Sequence, residues 1–65
     1  MPEWTGILLG KMHNNRVTML DLANELGYRK GYVSMILNGL REPKGAEQKL
    51  NEAYESILAK RSSTM

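Results

Sequence analysis

Hydrophobic positions in the middle of the chain repeat with the period of an α-helix in two short segments. The spacing i, i+3, i+4, i+7 is met by Met19, Leu22, Ala23 and Leu26, and again by Val33, Ile36, Leu37 and Leu40. Gly27 lies between the segments, where a first helix must stop, because glycine adopts the left-handed conformation at little steric cost. The pattern predicts two helices joined by a short turn, with small Ala23 allowing a close crossing.

Two further amphipathic segments flank this pair. Apolar positions predict a first helix over about residues 3 to 14, at Trp4, Ile7, Leu8 and Met12. Residues 40 to 45 predict a loop, since Pro43 discourages helix at Glu42. A second stripe predicts the longest helix over about residues 46 to 60, at Leu50, Ala53, Tyr54, Ile57 and Leu58. With no strand signal, the expected fold is an all-α, compact four-helix domain over residues 1–61. Fraying is expected from Arg61 onward, with a frayed tail at 62–65.

Side-chain chemistry predicts where the two central helices begin and end. Thr18 is a good N-cap for the second helix, and Asp21 three residues later can complete a capping box. The third helix is expected from Arg29 or Lys30 to about Leu37, without a strong side-chain cap, and Asn38-Gly39 ends it.

These central residues resemble those of a known family. The resemblance is carried by Ala23, Gly27, Val33 and Ile36, with the pair Leu22-Ala23 and the closing Leu37-Asn38-Gly39. They look like the helix-turn-helix of the phage lambda-type repressor and Cro (XRE-like) family, whose members are sequence-specific transcriptional regulators. The resemblance implies a helix-turn-helix over residues 18–39. Two departures are Met19, where many relatives carry glutamine, and the expected four helices where relatives commonly have five.

Composition and charge narrow the function classes. The chain has 65 residues, which suits one domain near the lower size limit for a core without disulfides or metal ions. It contains no cysteine, which excludes disulfides and suits a cytoplasmic location. Its net charge of +2 is mild. Residues 26–41, however, hold Arg29, Lys30 and Arg41 and no acid. This excess of positive charge favours phosphate contact, although a solvated face is the commoner reason for a few basic residues.

A recognition helix reads the major groove with its N-terminal part. The residues predicted to contact bases are Arg29, Lys30, Gly31, Ser34 and Met35. Those predicted to contact the DNA backbone are Arg16, Thr18, Tyr32, Asn38, Arg41 and Lys44. Arg29 and Lys30 suit guanine O6 and N7, and Met35 suits a thymine methyl. By resemblance, Lys30 and Gly31 match positions that often meet base edges, and Asn38 one that often meets phosphate.

Plain structural alternatives stay open for several of these residues. Instead of reading a base, Arg29 could contact only phosphate. Instead of contacting phosphate, Asn38 could simply cap its helix. Tyr32 is expected to lie half in the core. Gly31 weakens its helix by up to ~1 kcal/mol relative to alanine. A close approach to DNA would explain that glycine, and so would a poorly optimised exposed position.

Other chemistry is sparse in this sequence. His13 is the only histidine, so no metal site is expected, and Glu47, Glu52 and Glu55 offer no pocketed acid pair. No enzyme activity, cofactor, small-molecule substrate or membrane span is expected.

The leading hypothesis is a small sequence-specific regulator of phage or prophage type that binds double-stranded DNA. It is expected to act as a homodimer through the exposed part of the last helix. The alternative is a helical protein–protein interaction module, an antitoxin-like or antirepressor component, on the same scaffold.

Overall fold

The computed structural model describes residues 3–63, which fold into four α-helices. The helices are α1 (Glu3–Asn14), α2 (Met19–Leu26), α3 (Lys30–Leu37) and α4 (Ala46–Ser63). No strand occurs within this range. The predicted all-α four-helix fold is confirmed, and the predicted boundaries agree except at the end of α4.

A single hydrophobic core lies where the four helices meet. Its buried members are Leu8, Met12, Val17, Leu22, Ala23, Val33, Ile36, Leu37, Ala46, Leu50, Ala53, Tyr54 and Ile57. Helix α2 packs against both α3 and α4, while α1 also packs against α3 and α4. Because each helix touches at least two others, the short helices α2 and α3 are held by tertiary packing rather than by their own propensity.

The junction between α2 and α3 follows from the sequence as expected. Gly27 has a φ of 75° in the left-handed region and ends α2. The backbone N–H of Tyr28 then donates to the Ala23 carbonyl at 2.9 Å. Ala23 is only 1% exposed. Its small side chain therefore lies inside the contact between helices, as its position in the sequence predicted.

Two apolar residues that the pattern assigned to the inner face lie outside. Ile7 is 55% exposed because α1 turns Thr5, Leu8 and Met12 to the core, with Thr5 fully buried. Leu40 is 74% exposed because α3 ends at Leu37, and Gly39, with a φ of 77°, redirects the chain. The prediction for both residues was wrong. For Leu40, the helical period does not apply because the residue lies beyond the end of α3. For Ile7, the apolar pattern took no account of Thr5, a polar residue that is buried in the core.

Helix α4 continues to Ser63, beyond the predicted end at about Lys60. Arg61 Nη1 donates to the carbonyl of Asn15 at 2.8 Å, and Nη2 donates to that of Arg16 at 3.2 Å. These bonds tie the end of α4 to the α1–α2 connection. Residues 64 and 65 of the predicted tail lie outside the described range.

Replacing Ala23 with leucine is expected to lower the free energy of unfolding by about 1–3 kcal/mol, because the larger side chain overpacks the buried contact of α2. Chemical denaturation measures the change. Asn24→Leu is the matched control: Asn24 is exposed on the same helix, so its effect should stay within about 0.5 kcal/mol. Equal effects at the two positions would contradict the close packing.

Candidate nucleic-acid interface

The start of α2 is fixed by a reciprocal capping box. Thr18 has extended backbone, and its Oγ1 accepts a hydrogen bond from the Asp21 backbone N–H at 3.1 Å. Asp21 Oδ2 in turn accepts from the Thr18 backbone N–H at 2.9 Å. The predicted cap is confirmed. The positive end of the α2 dipole therefore lies at an exposed residue, Thr18, where an anion would be favoured.

The outer face of α3 is formed by four residues spaced i, i+3, i+4 and i+7, namely Gly31, Ser34, Met35 and Asn38. They lie opposite the buried Val33, Ile36 and Leu37. Gly31 and Asn38 are exposed, whereas Ser34 and Met35 are half-buried. A Cβ added at Gly31 would meet no atom within 4 Å. Nothing inside the fold therefore requires a glycine at this position.

The two cations predicted to read bases stand at the N-terminal end of this face. Arg29 is the N-cap of α3 in extended conformation, with no side-chain capping bond, and Lys30 is the first helical residue. Both side chains are exposed. Within residues 3–63 neither forms an ion pair. Both are therefore available to an external partner.

The hydrogen bonds of Asn38 favour the alternative in which this residue caps α3. Its Nδ2 donates to the Ser34 carbonyl at 2.8 Å and to the Ser34 Oγ at 3.1 Å. The amide nitrogen of Asn38 is therefore directed at Ser34. The Asn38 Oδ1 and the Ser34 hydroxyl proton remain for other partners.

Tyr32 is half-buried, as expected, and packs against the core. Its ring meets that of Tyr28 edge to face, with centroids 5.2 Å apart and an interplanar angle of 84°. Tyr28 was not among the predicted site residues. The i, i+4 spacing of the two tyrosines was the available signal, but Tyr28 lies outside α3, where helical spacing carries no weight.

The remaining predicted backbone contacts lie on two separate connections. Arg16 is exposed between α1 and α2, and its φ of 55° is left-handed, which is unusual for a residue with a side chain. Arg41 and Lys44 are exposed in the loop between α3 and α4. The structure thus groups the predicted residues on the outer face of α3, with basic residues on the connections before α2 and after α3.

Helix α4, although distant in sequence, forms polar contacts with α2. Glu25 Oε1 accepts from Lys60 Nζ at 2.7 Å, and its Oε2 accepts from Ser56 Oγ at 3.0 Å. Arg61 Nη2 lies 3.5 Å from Asp21 Oδ2, so it also contacts the capping box. These partners were missed because they lie between 31 and 40 residues apart in the chain.

These contacts stabilise the charged forms of two carboxyl groups. The hydrogen bond from the Thr18 backbone N–H is the main cause that holds the pKa of Asp21 below its ordinary value, and the charge of Arg61 adds to it. Hydrogen bonds from Lys60 and then Ser56 lower the pKa of Glu25. Both acids therefore support α2 only while they are ionised.

Features of other site types are few in the described residues. No group of three or more histidine, cysteine, aspartate or glutamate residues there is placed to hold a metal ion. No helix among residues 3–63 is long and apolar enough to cross a bilayer. An open groove of about 610 Å³, which the sequence did not predict, lies between Trp4 and residues 42–48.

No protein-family model, curated protein or solved structure matches this chain.

Stability is expected to fall in acid through Asp21 and Glu25. Because their pKa values are lowered in the folded state, their stabilisation is complete above the unfolded-state values, near 4, and is lost as the pH falls below them. Denaturation at a series of pH values from about 2 to 7 measures the free energy of unfolding. In the double variant D21N/E25Q this free energy should fall less steeply with decreasing pH than in the wild type. The exposed Glu55 provides the control E55Q, which should keep the wild-type slope. An identical slope in all three proteins would contradict the assignment.

Proposed function

We propose that the protein binds double-stranded DNA sequence-specifically, with α2 and α3 acting as a helix-turn-helix and α3 entering the major groove. The observation that supports this best is the outer face of α3. Its N-terminal end carries Gly31, which the fold does not require, directly after Arg29 and Lys30, which form no ion pair within residues 3–63. The preceding helix α2 begins at an exposed, capped residue. A recognition helix uses its N-terminal end to contact base edges.

The side chains at the N-terminal end of α3 have the chemistry for direct readout. Arg29 and Lys30 are donors that match guanine O6 and N7, and Met35 offers an apolar contact for a thymine methyl. Ser34 keeps its hydroxyl proton for a base acceptor. At Gly31 the bare backbone lets the helix approach the groove closely.

Contacts to the phosphates would fix the orientation of α3 without reading sequence. The N-terminal end of α2 with Thr18 offers free backbone N–H groups and a favourable dipole. Arg16, Arg41 and Lys44 supply positive charge on either side of α3. Tyr32, which is half-buried, would contribute its hydroxyl, and Asn38 would contribute its Oδ1, because its amide nitrogen donates to Ser34.

One such module contacts few base pairs. Useful specificity therefore favours a homodimer on two half-sites about one helical turn apart, as expected of a phage- or prophage-type transcriptional regulator.

Selection from a pool of random duplexes at about physiological salt tests the proposal directly. Enrichment of a palindromic motif is the expected result and would give the operator. A single short half-site would keep DNA reading but remove the symmetric dimer. If no motif emerged and binding vanished with modest salt, the proposal would fail in favour of a protein-binding module.

Alanine substitutions of the two exposed cations are expected to weaken binding to the selected duplex. Each of Arg29→Ala and Lys30→Ala should lower affinity by about tenfold or more, since a good base contact contributes roughly 1–3 kcal/mol of discrimination. Fluorescence anisotropy measures affinity, and circular dichroism should show an unchanged fold. Lys49→Ala removes an exposed lysine of α4 and is the control. Wild-type affinity in both Arg29→Ala and Lys30→Ala would argue against DNA reading through α3.

Gly31→Ala is expected to change stability and affinity in opposite directions. Because a Cβ there meets open space, alanine should raise the free energy of unfolding by up to about 1 kcal/mol through helix propensity. The same methyl group should weaken binding to DNA if the backbone approaches the groove. Gly6→Ala is the matched control, since Gly6 is also near the start of a helix with open space around it.

The control is expected to gain stability and keep its affinity for DNA, as measured by denaturation and anisotropy. Unchanged affinity in Gly31→Ala would mean that this glycine is merely an exposed, poorly optimised position.

A further inference from the structure

The outward side of α1 carries a short ridge of exposed residues that the DNA proposal does not use. Glu3, Ile7 and Lys11 follow one another at four-residue intervals and are all exposed. That spacing places them next to one another along the helix surface. Ile7 is 55% exposed and is the large apolar side chain that the ridge presents to solvent.

One end of this ridge opens onto a notch that suits a cation. The notch has a volume of about 350 Å³ and is lined by Glu3, Trp4, Ile7 and Glu47, where α1 meets the start of α4. Two carboxylates and an indole ring are the groups that attract an ammonium ion. Within residues 3–63, neither carboxylate forms an ion pair.

The other end of the ridge supplies such a cation. Lys11 lies four residues after Ile7, and Glu3 lies four residues before it. Each is therefore about 6 Å from Ile7 along the helix axis. Lys11 is exposed and also forms no ion pair within the described residues. The ridge is therefore complementary to itself when it is reversed about Ile7.

We propose that α1 is a self-association surface whose occupant is a second copy of this chain, packed antiparallel across a two-fold axis at Ile7. In this arrangement the two Ile7 side chains meet at the centre. Lys11 of each copy enters the notch of the other, beside Glu3 and Glu47. Such an isologous contact closes on itself and gives a dimer rather than a filament.

The outer face of α4 is a weaker candidate for this contact, although the sequence suggested it. The exposed large apolar residues of the described range are Ile7, Leu20 and Leu40, and α4 contributes none of them. Leu20 and Leu40 lie beside proposed DNA contacts, at Thr18 and Arg41 respectively. The α1 ridge is separate from those residues, so this inference goes beyond the proposed DNA function and does not depend on it.

The contact area of one short helix is small, so the dimer should be weak, with a dissociation constant on the order of 10⁻⁴ M. Sedimentation equilibrium of the full chain without DNA, up to about 1 mM, is the experiment. The wild-type protein should follow a monomer–dimer curve, and Ile7→Glu should remain monomeric. Leu40→Glu alters another exposed apolar residue and should dimerise like the wild type. A monomeric wild type, or equal effects of the two variants, would overturn the proposal.

Charge exchange tests the antiparallel arrangement itself. Glu3→Lys and Lys11→Glu should each weaken dimerisation by about tenfold, because each places like charges together twice in the dimer. The double variant E3K/K11E should dimerise more strongly than either single variant, since the pairs between positions 3 and 11 form again with reversed sign. It should dimerise less strongly than the wild type, since the carboxylate at position 11 then faces Glu47. Additive weakening in the double variant would overturn the arrangement. All these positions are exposed, and circular dichroism should confirm that each variant is folded.

Discussion

The packing of α4 against α2 is the contact on which the rest of the structure depends. Helix α4 brings a buried stripe of Leu50, Ala53, Tyr54 and Ile57 to a core shared by all four helices. The chain contains no cysteine that could form a disulfide, and a domain of this size has little core to spare. Helices as short as α2 and α3 would be marginal alone, so their order follows from this shared burial.

Polar bonds at the edge of the core define where α2 and the end of α1 lie along α4. Glu25 is held by Ser56 and Lys60, while Tyr54 accepts from Asn15 at 2.8 Å and donates to the Lys11 carbonyl at 3.3 Å. Most of these pairs are partly exposed, and each contributes modestly to stability. Together they fix the positions of the elements that carry the candidate interface. A change in α4 can therefore alter the geometry of the candidate interface from a distance.

Local chemistry was enough to predict the helix pair from sequence. Thr18 with Asp21 and the left-handed Gly27 act over three or four residues, and both were predicted correctly because such caps are determined by neighbouring residues. The exposed positions of Arg29, Lys30 and Gly31 also followed, since Arg29 and Lys30 stand at the start of α3 and Gly31 lies opposite its apolar residues.

The errors arose where a residue's surroundings depend on distant parts of the chain. Ile7 looked like a core residue, but a buried Thr5 shifts the inner face of α1. The end of α4 was placed too early because the partners of Arg61 are more than 40 residues away. For Asn38 the sequence left two roles open, and its bonds to Ser34 favour capping. Spacing along one helix carries no information about such partners.

The bond between Arg61 and the Asn15 carbonyl spans 46 residues, which has a consequence for how the chain is made. Contacts of large sequence separation form late, because closing a long loop must first be offset by other packing. During synthesis α1, α2 and α3 leave the ribosome well before residue 61. The nascent chain would thus present the candidate DNA-contacting residues before the connection carrying Arg16 and Thr18 is held in place. The order that the candidate interface needs would therefore arise only once α4 has folded against the earlier helices.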